Sequence, residues 1–290
     1  LPKGITIKKS KNKNGEIMKE IKKLESGICG LFTYKSMMDF ITVARQSKWK
    51  KSADRSNWQF GELDSREKTE EYLIKGLGLK SMRTQARKYR EEFENTVLQE
   101  IRSSVQSVKR VRRNNDSDGD LDLDAVLGGS DEYWTKIERK GSQKVVRIAI
   151  NCSISWQNNQ KDFAKLVSLS AVFCEILEEL GYGVEIYCCF ISELTGYRKT
   201  PDEINWESML FPIKECTEVL DVERIYSLGL QGLLRDVFFR VEQVETGGHA
   251  GRCETPPNDV LEFSNIDVIV EKTWTDGNQA ERIIQTIENL

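Results

Sequence analysis

The length, composition and charge of this chain bound its class before any motif is considered. With 290 residues it can hold two ordinary domains, and 39% hydrophobic and 31% charged residues are typical of a soluble globular protein. No apolar run approaches the roughly 18 residues of a membrane span, and no secretory signal peptide is visible. Seven cysteines without a Cys-x-x-Cys pair indicate reduced thiols, so we expect a cytoplasmic protein.

The net charge of −3 hides two halves of opposite sign. Residues 1–150 carry 32 Lys and Arg against 22 Asp and Glu, a net charge of +10. Residues 151–290 carry 11 against 24, a net charge of −13. Such a chain can associate with itself head to tail or present a basic face to an acidic partner. The alternative is that the first half simply has more solvated helical surface.

Two short helices are predicted early in the chain. The first covers about residues 34–44, with Ser36 as its cap and one apolar face. The second starts at Ser65 and is closed by Gly76 or Gly78, because glycine readily adopts the left-handed conformation that ends a helix. Both helices belong to a helix-rich first half.

A long amphipathic helix is predicted from about Ser81. Apolar residues recur along it every three or four positions and form a single stripe. The members of the stripe are Met82, Ala86, Tyr89, Phe93, Val97, Ile101, Val105 and Val108. A stripe of this length packs against the core of its own domain or against a helix of a partner.

A basic cluster, Lys109 to Arg113, is predicted at the end of this helix, where cations favour the helix dipole without any partner. Residues 114–124 follow with five aspartates, which would cancel much of the field that attracts a nucleic acid. An EF-hand loop starting at Asn114 would need a glutamate at its twelfth position, where Ala125 stands. We therefore interpret this acidic run as a linker and expect no nucleic-acid binding.

The second half alternates between strands and helices. Strands are predicted over 145–151, 184–190, 216–220 and 266–270, and helices over 161–180, from Asp221 to about 241, and over 276–290. Strands separated by helices predict a mostly parallel sheet that is covered on its faces.

These elements divide the chain into four parts. Residues 1–27 are predicted to form a basic, mobile segment, and residues 28–113 a helix-rich domain. Residues 114–140 form an acidic linker and connector, and residues 141–290 an α/β domain. The fold class is therefore α/β, or α+β over the whole chain.

Residues that commonly serve catalysis are scarce. The single histidine, His249, lies four residues before Cys253, which is half of a zinc-binding pattern without a matching second pair. Cys152, Cys188 and Cys189 lie in or beside predicted buried strands, where thiols pack as small apolar groups. We therefore expect no enzymatic activity and no bound cofactor.

The strand over residues 145–151 ends in Asn151-x-Ser153-x-Ser155 and precedes a long helix. This order resembles the start of a von Willebrand A-like domain, where Asp-x-Ser-x-Ser after the first strand helps to hold a divalent metal. Asn151 in place of the aspartate removes the negative charge that attracts a hard cation, so the three side chains are weak metal candidates. As an alternative, they satisfy free N–H groups at a strand-to-helix turn.

Several segments together resemble an uncharacterised family encoded largely by phages. These segments are 125–134, 146–155, 180–186, 220–225, Leu234-Arg235, Phe239 and 266–290. The resemblance extends over roughly residues 30–290 and implies a von Willebrand A-like second domain with a degenerate metal motif, but no reaction. In size and in its Lys-, Glu- and Ile-rich composition the chain is also similar to phage proteins that block the Gabija defence system by binding its nuclease complex.

We therefore expect a non-enzymatic phage protein that works in the cytosol of the host cell. It would bind and inhibit a host anti-phage defence complex stoichiometrically, as a homo-oligomer. The alternatives are a metal-dependent von Willebrand A-like binding module and a nucleic-acid-binding protein that uses the basic half. Aromatic and arginine side chains dominate many interfaces, although tryptophan also packs into cores. The candidate partner-binding residues are Trp49, Trp58, Trp134, Arg110, Arg112 and Arg113.

Overall fold

The computed structural model describes residues 8–11, 17–48, 59–95, 109–114, 120–121, 134–139, 144–153, 160–194, 204–247 and 257–290. The strands are β1 (Lys8–Lys11), β2 (Ile17–Leu24), β3 (Gly27–Tyr34), β4 (Lys109–Asn114), β5 (Asp120–Leu121), β6 (Trp134–Arg139), β7 (Val145–Asn151), β8 (Gly183–Glu193), β9 (Trp206–Lys214) and β10 (Val268–Val270). The helices are α1 (Met37–Gln46), α2 (Arg66–Lys75), α3 (Lys80–Asn95), α4 (Gln160–Glu179), α5 (Val222–Ser227), α6 (Phe239–Glu245), α7 (Asn258–Phe263) and α8 (Gln279–Asn289). A π-helical segment, Leu233–Phe238, leads directly into α6.

A mixed seven-stranded sheet organises the fold, in the order β1-β2-β3-β9-β8-β7-β10. Within the run of five adjacent strands β3-β9-β8-β7-β10, three of the four pairings are parallel, and only β8 with β9 is antiparallel. The α/β class and the largely parallel arrangement of these strands agree with the sequence prediction. A second, antiparallel sheet has the order β4-β6-β5.

Several elements of the second half form where the sequence predicts them. Strand β7 is almost continuously apolar, because helices or other elements cover both faces of the sheet. Helix α4 is buried on most of its sides, which explains why its hydrophobic residues are not confined to one stripe. Within the described ranges, no helix combines the length and apolar character that crossing a bilayer requires.

The two predicted domains share one sheet. Strand β3 pairs in parallel with β9, with Cys29 opposite Trp206. Phe40 of α1 packs 4.8 Å from Phe211 of β9, measured between ring centroids, so the same core holds elements from both halves. The boundary predicted between residues 113 and 141 therefore does not separate two cores.

Two predictions about the strands are wrong. Residues 8–11 and 17–24, predicted to be mobile, form β1 and β2, because their backbones pair with each other and with β3. The predicted strand over 216–220 is a turn in which Val219 is 91% exposed, and the actual strand is β9. Polar residues within β9 hide its apolar character.

The basic cluster forms strand β4 and does not end a helix. Helix α3 extends to Asn95, and the apolar stripe beyond Asn95 lies outside the described residues. In β4, the backbone of Arg110 pairs with that of Glu138 in β6. Within the described part of the stripe, Met82, Ala86 and Tyr89 are buried in the chain's own core.

The helix predicted to start at Asp221 is interrupted. Asp221 does cap α5, by accepting a hydrogen bond from the backbone N–H of Glu223 at 3.0 Å. The break after α5 contains Gly229, where an added Cβ would lie 2.7 Å from Val167 and 2.9 Å from Met82. Close packing of α3 and α4 against this glycine therefore accompanies the interruption.

Candidate functional site

The loop after β7 is closed by its own side chains. Asn151 is 5% exposed, and its Oδ1 accepts a hydrogen bond from the backbone N–H of Ser153 at 3.0 Å. The Ser153 hydroxyl accepts a hydrogen bond from the backbone N–H of Ile191 at 2.7 Å. Both side chains therefore stabilise the turn and join β7 to β8, whereas Ser155 lies outside the described residues. The described ranges contain no group of three or more His, Cys, Asp or Glu placed to hold a metal ion.

The predicted partner-binding residues are not brought together by one described element. Arg110, Arg112 and Arg113 lie on β4, and Trp134 is the first residue of its partner strand β6. The backbone of Trp134 is paired with that of Asn114, next to the arginines in register. Trp49 and Trp58 lie outside the described residues, as do His249 and Cys253.

A cluster of buried carboxyl groups was missed by sequence reasoning. We call Glu207, Glu242 and Glu245 the carboxyl cluster; Glu207 lies on β9, and the other two lie on α6. Glu207 and Glu242 are fully buried. Neither carboxyl oxygen of Glu207 has a hydrogen-bond partner among the described residues. A buried carboxyl group without hydrogen-bond partners is costly to ionise, and this cost raises its pKa.

The register of the sheet places small residues on both sides of Glu207. Its two cross-strand neighbours are Gly30 of β3 and Ser192 of β8, both small. At Gly30 an added Cβ would lie 2.9 Å from the side chain of Ile204, so a larger residue would crowd the site. The Ser192 hydroxyl is buried and, like Glu207, has no hydrogen-bond partner among the described residues. Polar atoms therefore face one another here without mutual hydrogen bonds.

The electrostatics of the cluster favour bound protons. Burial raises the pKa of Glu207 well above its ordinary value, and the nearby charge of Glu242 raises it further. The Lys19 ammonium group acts in the opposite direction. Burial also raises the pKa of Glu245, again with Lys19 opposing the shift.

A second buried network lies on the π-helical segment that precedes α6. Asp236 is fully buried and accepts hydrogen bonds from Arg66 Nε at 2.7 Å, Arg240 Nε at 3.0 Å and Gln59 Nε2 at 2.7 Å. Arg235, next to it in sequence, is 1% exposed. Single turns of π-helix are frequent at functional sites, and here the turn brings consecutive charged residues into the core.

The buried cysteines are chemically quiet. Cys152 and Cys188 approach to 3.6 Å between their Sγ atoms, and neither forms a disulfide. Burial raises the pKa of Cys188 and of Cys189 well above the ordinary thiol value, and raises that of Cys29 to about 12. Because the thiolate is the reactive form, these side chains act as packing groups.

The chemistry open to the carboxyl cluster follows from its burial. A general acid must approach the reacting group of a substrate to hydrogen-bond distance. Glu207 has no solvent-exposed surface in this structure, so its arrangement is suited to holding a proton inside the fold. The sequence signal for both buried networks is a charged residue inside an apolar run, as in Leu-Leu-Arg235-Asp236-Val-Phe.

A family model described as a domain of unknown function, DUF7192, matches residues 28–290. No curated protein and no solved structure matches the chain.

Proposed function

The chain belongs to the DUF7192 family, and we propose that its residues 145–290 act as a von Willebrand A-like module that binds another protein. The observation that carries this proposal is the order of the strands. If β7, β8, β9 and β10 are numbered 1 to 4 in chain order, they lie side by side in the sheet in the order 3-2-1-4. Strand 3, β9, runs antiparallel to strand 2, β8. The order 3-2-1-4 is also that of the first four strands in doubly wound sheets.

This order places the Asn151 turn where such sheets bind ligands. In open α/β sheets, ligands bind outside the carboxyl ends of the strands, at the point where the strand order reverses. That point lies here between β7 and β10, which are parallel neighbours. Asn151 ends β7 at this edge, and Glu271 follows β10. The turn therefore supports a binding role for this edge of the sheet.

The side chains of the turn favour a protein over a divalent cation as the ligand. Asn151 supplies no negative charge, and its Oδ1 already accepts the Ser153 N–H. Ca²⁺ and Mg²⁺ sites usually depend on carboxylate ligands. In isothermal titration calorimetry we therefore expect no Mg²⁺ or Ca²⁺ binding in the low micromolar range. Tight binding that is abolished by Ser153→Ala would favour the alternative of a metal-dependent module.

As the partner we propose a host anti-phage defence complex of the Gabija nuclease type, on the basis of the phage-like sequence resemblance. The protein would inhibit by occlusion, without catalysis, and as an oligomer. Occlusion requires a large contact, since standard interfaces bury about 1,600 Å². Such a mechanism predicts that inhibition is complete only near one copy of the protein per binding site on its target.

The experiment is a titration of a purified defence nuclease with the whole chain, read by nuclease activity and by light scattering. We expect a comigrating complex and a linear loss of activity that ends at a fixed stoichiometry. Inactivation far below one copy per target would indicate catalysis instead. Sequence-preferring DNA binding at physiological salt, lost on neutralising Arg110, Arg112 and Arg113, would favour the nucleic-acid alternative.

A further inference from the structure

A small cavity opens on the surface between three elements of the shared core. It has a volume of about 240 Å³ and lies between the N-terminus of α1, the C-terminus of α2 and the end of β9, with α5 along one side. We call it the α1–α2 pocket. Its lining residues are Ser36, Met37, Met38, Leu73, Ile74, Gly76, Pro212, Ile213, Arg224 and Ser227.

The rim of the pocket is apolar and accessible. Met38 is 43% exposed and Ile74 is 44% exposed. Only two other large hydrophobic side chains among the described residues are exposed, Val145 and Val219, and neither lines this pocket. Flexible methionine side chains are common at protein-binding surfaces because they adapt to the shape of a partner. The exposed apolar side chains are therefore concentrated at one opening.

Arg224 supplies the only charged side chain among the described lining residues. It packs over Gly76, where an added Cβ would lie 2.8 Å from Arg224 Cγ, so the glycine is needed for this close approach. Its guanidinium group forms a long ion pair with the Asp221 carboxylate at 3.9 Å and a long hydrogen bond to the Ile213 carbonyl at 3.5 Å, and the side chain is 55% exposed. Arg224 can therefore still form the bidentate contact that arginine makes with a carboxylate.

We propose that the α1–α2 pocket receives one apolar side chain of a partner protein, and that Arg224 binds a carboxylate next to that side chain. This inference rests on the proposed protein-binding function and names the chemistry of the partner segment. The volume supports a single side chain, because pockets for small-molecule ligands usually measure roughly 300–1,000 Å³.

To test this, the whole chain is immobilised, and peptides that bind to it are selected from an mRNA-displayed library of random dodecapeptides. We expect enrichment of a large apolar residue adjacent to Asp or Glu. A peptide carrying the enriched motif is then synthesised with a fluorophore, and its dissociation constant is measured by fluorescence polarisation. Ile74→Glu should weaken binding at least tenfold, because it places a like charge beside the carboxylate of the peptide and removes an apolar contact.

Two further variants make the test specific. Arg224→Glu should reverse the preference, so that selection enriches Lys or Arg beside the apolar residue. Val219→Ser is the matched control, since it removes an exposed apolar side chain outside the pocket and should leave binding unchanged. Circular dichroism melts establish that all three variants fold as the wild type does.

The proposal is overturned if no apolar–acidic motif is enriched, or if Arg224→Glu retains the acidic preference. It is also overturned if Ile74→Glu only abolishes dimerisation of the chain, which would assign the pocket to self-association. Binding of a defence nuclease that is unchanged in Ile74→Glu would refute the pocket and leave the proposed function standing. Peptide binding as expected, without binding of any defence complex, would refute the named partner and leave the pocket standing.

Discussion

The buried carboxyl of Glu207 should make the stability of this protein fall as the pH rises, and Glu207→Gln should remove that effect. Glu207 is fully buried, and neither of its oxygens has a hydrogen-bond partner among the described residues. Glu242 and Glu245 raise its pKa further, while the positive charge of Lys19 lowers it. Glutamine has nearly the same shape but is neutral at every pH, so it mimics the protonated side chain.

The direction of the effect follows from proton binding. In the unfolded chain Glu207 titrates at its ordinary pKa, about 4.5, whereas in the folded protein burial raises its pKa well above that value. Between these two values the folded state binds more protons, so the free energy of unfolding decreases as the pH rises. The decrease is at most about 1.4 kcal/mol per pH unit for one group. In a protein of this size, each kcal/mol corresponds to roughly 2–4 °C in melting temperature.

The assay is urea denaturation of wild type and Glu207→Gln at pH 5, 6, 7 and 8 and constant ionic strength. The variant should gain stability over the wild type progressively with pH, by up to about 1.4 kcal/mol per unit until Glu207 ionises. A smaller slope should persist in the variant, because burial also raises the pKa of Glu245. The exposed Glu62 provides the control variant, Glu62→Gln, which should follow the wild type. Parallel curves for wild type and Glu207→Gln would refute the reasoning.

Two further predictions concern the other buried groups. Asp236→Asn should lower the free energy of unfolding, measured by urea denaturation, by about 3–5 kcal/mol. The reason is that the substitution leaves the cations of Arg66 and Arg240 without their shared carboxylate. A loss below about 1 kcal/mol would contradict this account. In the Cys253→Ser protein, Ellman's reagent should modify one thiol quickly, that of the half-exposed Cys216, since the other described cysteines are buried and a buried thiol is poorly ionised. Rapid modification of two or more thiols would show that a buried cysteine is accessible. The same conclusion would follow if one thiol were still modified rapidly after Cys216→Ser is added to the Cys253→Ser protein.

The elements that the sequence predicts well are those whose burial is complete. Strand β7 and helix α4 carry long apolar runs, because each is covered on most sides, and composition alone reveals such segments. The caps of α1 and α5 were also predictable, since Ser36 and Asp221 each accept a hydrogen bond from the first turn. The sequence did not predict strand β9, because it contains Glu207, and glutamate side chains are usually exposed although this one is buried.

The candidate sites also differ in how far the sequence could predict them. The Asn151 turn could be recognised because its residues are contiguous and its hydrogen bonds are local. The carboxyl cluster and the α1–α2 pocket could not, because each unites residues from elements far apart in the chain. Glu207 meets α6 only through the packing of the helix on the sheet, and Ile74 meets Arg224 only where α2 contacts α5. Distances of this kind depend on register and packing, which no local pattern encodes.

The pairing of β3 with β9 has a consequence for synthesis on the ribosome. Strand β3 receives its central neighbour only when residues 177 positions later have left the exit tunnel, as the hydrogen bond between Ile28 and Asn205 illustrates. At translation rates of about 5–20 residues per second, this delay is on the order of 10–35 s. During that time the β2–β3 hairpin presents an open edge with the apolar side chains of Leu31 and Phe32. Lys19, Lys22 and Lys23 place positive charge on β2 of this hairpin, and such charges oppose pairing between nascent chains on neighbouring ribosomes.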